Sequence, residues 1–323
     1  MDIAITDTTT PILAAIAAPT PAITKPALAF VANSRAENTR RAYRADWADF
    51  TTWCRDRGRD PLPATPETVA DYLADLATDR KPATISRRVA AIASAHRLAG
   101  QPSPTRDELV RLALRGIQRT LGTAQAQARP ILLSDLVAMV HELDDDLAGL
   151  RDRAVLLVGW AGAFRRSELV ALEVSDIERT SDGLVVTIRR SKTDQTGIGR
   201  QVGIPRGTTL DPVAALDKWL DAAGIIEGPL FRPVDRHGNV GLRALDPAAV
   251  AAIVKRAAER AGLDPSGLSG HSLRAGLLTT AAMNGADPLV LMQQSGHKSA
   301  TMVARYVRRA DLFRQNAATL AGM

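Results

Sequence analysis

Cysteine is almost absent from this sequence. A single residue, Cys54, occurs in 323, which excludes an internal disulfide framework and a zinc site built on clustered thiolates, and fits a reducing cytoplasm. Aromatic residues are also scarce, at 4%. Ala, Leu and Val recur at helical spacing with few long β-branched runs, so helices should dominate. Long apolar runs are missing too: prolines 11, 19, 21 and 26 break up PILAAIAAPTPAITKPALAFVA, where a membrane-crossing helix needs roughly twenty uninterrupted apolar residues. Asp2 stands where a secretory signal wants a basic start. Residues 1–33 are therefore expected to be a disordered leader, and no membrane partner is expected.

What is present is enough apolar material for a sizeable core, 46% of residues, and an excess of positive charge, 41 Lys and Arg against 35 Asp and Glu. A net +6 suits a polyanionic partner, with nucleic acid first and an anionic membrane surface second. A basic protein with neither partner would have the same total.

Ser34-Arg35-Ala36-Glu37 has the form of a capping box, and Tyr43, Trp47, Phe50 and Cys54 follow at helical steps until Gly58. Thr65-Pro66 opens a second helix with Val69, Tyr72, Leu73 and Leu76 on one face, and a third runs from about Ala83 to Gly100. A fourth spans roughly 106–121. There Val110, Leu114, Ile117 and Leu121 make an apolar stripe, while Arg111, Arg115 and Arg119 line another face. A solvated charged face would look the same, but Arg87 and Arg88 on the preceding helix favour a surface that meets phosphates or enters a major groove.

GTAQAQARP, residues 122–130, has no apolar period and reads as a linker. Ser134 should cap the next helix, and a strongly apolar one should follow over 150–160. Between about Asp176 and Pro205 the pattern turns β-rich: LVVTIRR and RQVGIP, joined by the polar SKTDQTGIG, predict a small antiparallel sheet. Asp246-Pro247 starts a further helix that closes near Gly262, and the remainder is helical.

Four stretches of this second half set basic or nucleophilic groups in unusual places. In HSLR, His271 and Arg274 project from one face at a helix start, where an anion is welcome. In RRSE, Arg165 and Glu168 are three apart, so the carboxylate can hold the guanidinium in one direction. An ordinary surface ion pair has the same spacing. Lys192 lies in the hairpin loop, where most lysines face water. His297 and Tyr306 are nine positions apart, about half a turn out of phase on one continuous helix. Gly296 and Ser299 break that helix, so His297 sits in a turn and Tyr306 can converge with it.

Tyr306 is one of three tyrosines and stands among Arg305, Arg308 and Arg309. Core packing is the common fate of a tyrosine. A phenol attacking a phosphodiester, however, needs fixed cations around a phosphate that gathers negative charge, and an acid for the leaving alkoxide. Two arginines, two histidines and a lysine supply that set with no metal or cofactor.

In order and spacing the series Arg165…Glu168, Lys192, His271…Arg274, His297, Tyr306 resembles the catalytic series of the tyrosine recombinases, the phage integrase family. The layout is similar to its Cre-like members. YRADWADFTTWCRDRG, PATPETVADYLADL and TISRRVAAIASAHRLAG resemble that family's core-binding region, so the likeness covers about 34–315.

The resemblance implies a mainly α fold: a helical, SAM-like core-binding domain over 34–121, and a mostly helical catalytic domain with a small sheet over 131–310. The two would clamp duplex DNA. Residues 311–323 would be a tail docking on a neighbouring subunit, with packing on its own domain an equal contender. It implies that Tyr306 attacks the scissile phosphate to give a 3′-phosphotyrosyl link, Arg165 and Arg274 bind nonbridging oxygens, and Lys192 protonates the leaving 5′ oxygen. His271 would be general base or acid, His297 would hydrogen-bond the phosphate, and Glu168 would orient the site. Exchange would run through a Holliday junction in a homotetramer on inverted-repeat DNA sites, assembled from monomers. A type IB topoisomerase, or a noncatalytic DNA-binding regulator on the same fold, are the alternatives.

Overall fold

A computed structural model of the protein describes residues 37–124, 128–189, 199–310 and 322. The expected leader, Ser34, Lys192 and, apart from Gly322, the expected tail lie outside them. The chain divides into two compact units between Gln125 and Ala126.

The first unit contains α1 (Glu37–Asp56), α2 (Pro66–Leu76), α3 (Pro82–Leu98), a 3-10 turn at Pro104–Arg106 and α4 (Glu108–Leu121). Thr65 caps α2 by accepting from the Thr68 N–H at 3.2 Å, and Asp107 caps α4 through the Leu109 N–H at 2.8 Å. Phe50, Val69, Tyr72, Leu73, Ile85 and Ile92 form the core, with the Phe50 and Tyr72 rings 5.0 Å apart. His96 is fully buried and satisfied. It accepts from the Ala64 N–H at 3.0 Å through Nε2, and Nδ1 donates to the Ile92 carbonyl at 2.9 Å.

The expectation that Arg88 faces a phosphate backbone is corrected here, while Arg87 stays exposed. Arg88 is only 8% exposed and is committed to Asp49, to the Tyr72 hydroxyl at 2.6 Å and to Asp46 at 3.7 Å. Arg87 grips Asp46 through two bonds of 2.8 and 3.0 Å. Asp46 is buried, and a buried carboxylate without these partners would be costly. The pair therefore ties α1 to α3. On α4 the basic face does point outward: Arg111, Arg115 and Arg119 are exposed, the first two bonded to Glu108, while Val110 packs inward.

The second unit runs α5 (Leu133–His141), α6 (Leu147–Ala161), α7 (Arg166–Val170), β1 (Ile177–Arg179), β2 (Gly183–Ile188), β3 (Arg200–Pro205), α8 (Pro212–Ala223), α9 (Pro247–Arg260), α10 (His271–Met283), α11 (Pro288–Ser295) and α12 (Ala300–Ala310). Ser134 does not cap α5. Asp135 closes that end instead, accepting from the Leu132 N–H at 3.2 Å. Helix α6 is buried on all sides over Ala154–Val158, as its unbroken apolar sequence requires, and the other elements pack around it.

The sheet is antiparallel in the order β1-β2-β3, one strand more than the sequence pattern indicated. Val186 pairs with Ile177 on one side and Val202 on the other, so alternate residues Leu184, Val186 and Ile188 enter the core. At Gly276 on α10 an added Cβ would lie 1.8 Å from the Ile131 carbonyl oxygen. This close approach lets the segment before α5 bond to α10, with the Ile131 N–H on the Ser272 carbonyl at 3.1 Å. The fold is thus mainly helical with a small antiparallel sheet. Among the described residues no helix is long and apolar enough to cross a membrane, and no cluster of metal-ligating side chains is present.

Candidate active site

The site begins where α6 stops. Ala163 has φ of 48°, a left-handed conformation that a residue with a Cβ rarely adopts, and it is fully buried. This turn presents the Ala163 carbonyl to Arg274, whose Nη1 donates to it at 2.6 Å. Arg165 follows, at the start of α7. Its backbone N–H donates to Glu168 at 3.0 Å and its Nη1 donates to the same carboxylate at 2.5 Å. Glu168 is 4% exposed, so this is a buried, doubly bonded pair that fixes the guanidinium's direction.

Arg274 lies one turn into α10 and is 0% exposed. Its Nη2 reaches the His297 ring, 3.1 Å from Nε2 and 3.3 Å from Nδ1. His297 sits in the turn after α11, where Gly296 takes φ of 66° and ends the helix. The following helix, α12, carries Tyr306, whose ring centroid is 6.2 Å from that of His297. Tyr306 is half-buried and rests on the small cluster of Leu278, Ala282, Leu291 and Val303. His271, the first residue of α10, is exposed.

Arg165, Glu168, Arg274, His297 and Tyr306 therefore lie together, with His271 beside them. Lys192 lies outside the described residues. Two participants escaped the sequence reading. Arg200, at the start of β3, donates from Nη1 to the Gln294 carbonyl at 3.1 Å and brings Nη2 within 3.7 Å of Glu168. Its Nε and Nη2 are buried without a hydrogen bond among the described residues. In sequence it is one letter of a strand. Ser295, fully buried at the end of α11, contacts Nδ1 of His297 at 2.6 Å. Its position two residues before His297 was the only available signal.

The electrostatics have one sign. Burial, then Arg274 and Arg165, push His297 down to about 3. His271 is also lowered, by desolvation first and then by Arg274, Arg165 and Arg305. Both rings are therefore neutral at physiological pH. Arg274 is pulled down to about 10 by burial and by Arg165, which leaves it charged. Among these residues Glu168 is the one carboxylate set against three guanidinium groups, Arg165, Arg200 and Arg274. An anion completes the set, and the arrangement can hold a phosphodiester against fixed guanidinium donors with a phenol alongside.

These features fit the tyrosine recombinase class. The chain belongs to the phage integrase family: residues 131–312 match that family's model, and 29–101 match the phage integrase N-terminal SAM-like domain. The integrase/recombinase XerD homologue of Selenomonas ruminantium is 44% identical over 290 residues, covering 88% of this chain and 85% of the relative. Recombinase Cre of Escherichia phage P1 is 27% identical over 282 residues, 81% of each chain. Two solved structures share the fold. A lambda integrase dimer bound to a COC′ core site superposes with a TM-score of 0.61 at 17% identity, covering 87% of this chain and 74% of that one. The post-cleavage complex of XerH with palindromic difH substrate gives 0.60 at 17% identity, over 80% and 73%.

Proposed function

We propose that this protein is a site-specific DNA recombinase that cleaves and rejoins duplex DNA through Tyr306. The observation that carries the reading is the convergence of Arg165, Arg274 and His297 with the Tyr306 ring 6.2 Å from that of His297. In the step proposed, the Tyr306 oxygen bonds to phosphorus as the bond from phosphorus to the 5′ oxygen breaks. The products are a 3′-phosphotyrosyl link and a free 5′ hydroxyl. Neutral His271 is suited to take the phenolic proton, and Lys192 is assigned the proton given to the leaving oxygen. Arg165 and Arg274 hold the nonbridging oxygens, His297 lines the same phosphate site, and Glu168 keeps Arg165 in position.

Attack by a 5′ hydroxyl from a partner duplex reverses the chemistry, and the ester conserves the energy for it, so no ATP, metal or cofactor is invoked. Exchange proceeds through a Holliday junction in a homotetramer on two inverted-repeat sites, assembled from cytoplasmic monomers. The exposed Arg111, Arg115 and Arg119 are assigned to the DNA backbone. Incubation with a nicked suicide duplex should yield a denaturation-resistant protein–DNA adduct that Tyr306→Phe abolishes. Absence of an adduct from the wild-type protein rejects the reading. Relaxation of a supercoil without exchange between two sites would assign a topoisomerase instead.

A further inference from the structure

Ser295 links the active site to the main chain of α11. Its Oγ lies 2.5 Å from the Leu291 carbonyl oxygen, one turn back, and 2.6 Å from Nδ1 of His297. A serine hydroxyl has one proton, and a carbonyl only accepts, so that proton goes to Leu291. The hydroxyl must then meet the imidazole as an acceptor, which puts a hydrogen on Nδ1.

Arg274, the ring's other polar neighbour, lies close to both ring nitrogens and is compatible with that tautomer without selecting it. Arg274 Nη2 stands 3.1 Å from Nε2. A guanidinium has no lone pair to offer, so once Ser295 has placed the hydrogen on Nδ1, Nε2 is the nitrogen that accepts from it. The second, longer approach of Nη2 to Nδ1, at 3.3 Å, meets a nitrogen that already has its partner. A doubly protonated ring would set an N–H against a cation.

We propose that Ser295 is a positioning residue that fixes His297 as the Nδ1-protonated tautomer and, through it, aims Arg274. The donors then run in one direction, from Arg274 through His297 and Ser295 to the Leu291 carbonyl. The other arm of Arg274 ends on the Ala163 carbonyl at 2.6 Å. Held between the Ala163 carbonyl and the His297 ring, the guanidinium keeps its Nε, buried without a hydrogen bond among the described residues, for a ligand. In this tautomer, without DNA bound, the Nε2 of His297 serves Arg274. The inference rests on the recombinase reading only for its catalytic consequence.

The test uses the full chain labelled with ¹⁵N-histidine. Long-range nitrogen–proton correlations distinguish the two tautomers, and a His297→Gln spectrum assigns the signal among the five histidines. We expect protonated Nδ1 in the wild type, a mixed or reversed tautomer in Ser295→Ala, and return of the original in Ser295→Thr. Adduct formation on the suicide duplex should slow by about tenfold or more in Ser295→Ala with DNA affinity unchanged, and recover in Ser295→Thr. Protonated Nε2 in the wild type overturns the proposal before any variant is made. So does a Ser295→Ala protein with unaltered tautomer or unaltered cleavage. The expected spectrum from a wild-type protein that forms no adduct supports the tautomer assignment and overturns the recombinase reading alone.

Discussion

Glu168 takes two hydrogen bonds from one residue, the backbone N–H and the side chain of Arg165, while Arg200 stands 3.7 Å from Oε2, the oxygen that accepts the backbone N–H. One buried carboxylate thus serves two guanidinium groups. Glu168→Gln keeps the shape and removes the charge, leaving both cations without their counter-ion. The catalytic unit should lose about 3 kcal/mol of stability, read by urea unfolding. Adduct formation should fall at least tenfold, because Arg165 is no longer aimed. Arg200→Ala should slow the adduct less than Arg165→Ala does. Equal losses would place Arg200 on the substrate itself.

Acid should weaken the fold through its histidines. His297 is pushed down to about 3 in the folded chain, against roughly 6.5 when unfolded, and His96 and His271 shift in the same direction. As pH falls through 6.5 the unfolded chain takes up protons that the folded chain refuses. Stability is complete above that value and declines as pH falls, for His297 down towards pH 3 by up to about 1.4 kcal/mol per pH unit, with His96 and His271 adding in the same direction. Thermal melts at pH 7 and pH 5 should show the loss. In His297→Gln the difference between the two should shrink; an unchanged difference would locate the acid sensitivity elsewhere.

Two kinds of arginine occur in the first unit, and salt separates them. Arg88 is buried against Asp46 and Asp49, so Arg88→Ala should cost about 3 kcal/mol of stability yet leave the salt dependence of DNA binding as it was. Arg119 is exposed. Arg119→Ala should be nearly neutral for stability and lower the slope of log affinity against log salt by about 1. Titrations at several salt concentrations, with unfolding curves for each variant, test both.

Leu289, Val290 and Met302 expose 66, 55 and 44% of their surface on the elements that carry His297 and Tyr306. Leu312, Phe313, Ala317 and Leu320 follow in the sequence at spacings that can line one helix face. Deleting residues 311–323 should leave single-site binding largely intact and weaken assembly on paired sites. Unchanged synapsis in a native gel rejects a tail that docks in trans.

The parts of this protein that could be read in its letters are those fixed by near neighbours. Asp246-Pro247 and Asp287-Pro288 announce helix starts because the carboxylate bonds to an N–H two residues on, at 2.6 and 2.7 Å. The same signal stands at Asp211-Pro212, where the carboxylate accepts from the Val213 N–H at 2.8 Å and opens α8. Strand β1 has three residues, too few to alternate. Helix periodicity placed Arg88 on a face but could not say that α1 would cover it. Arg200 and Ser295 gain their settings from segments that only folding brings together, Arg200 from Glu168 and Gln294 and Ser295 from the ring of His297. Arg165 and His297 were legible because each sits at a helix boundary or turn with its own local signature, whereas Arg274 and Tyr306, inside α10 and α12, were legible through the order and spacing of the family's series.

The anchor for Arg274 is the peptide oxygen of residue 163, and no side chain supplies it. Position 163 is therefore constrained by dihedral angle more than by identity. A library randomised there should enrich glycine and asparagine, whose backbones enter the left-handed basin readily, and deplete valine and isoleucine. Survivors would keep the arginine where it is.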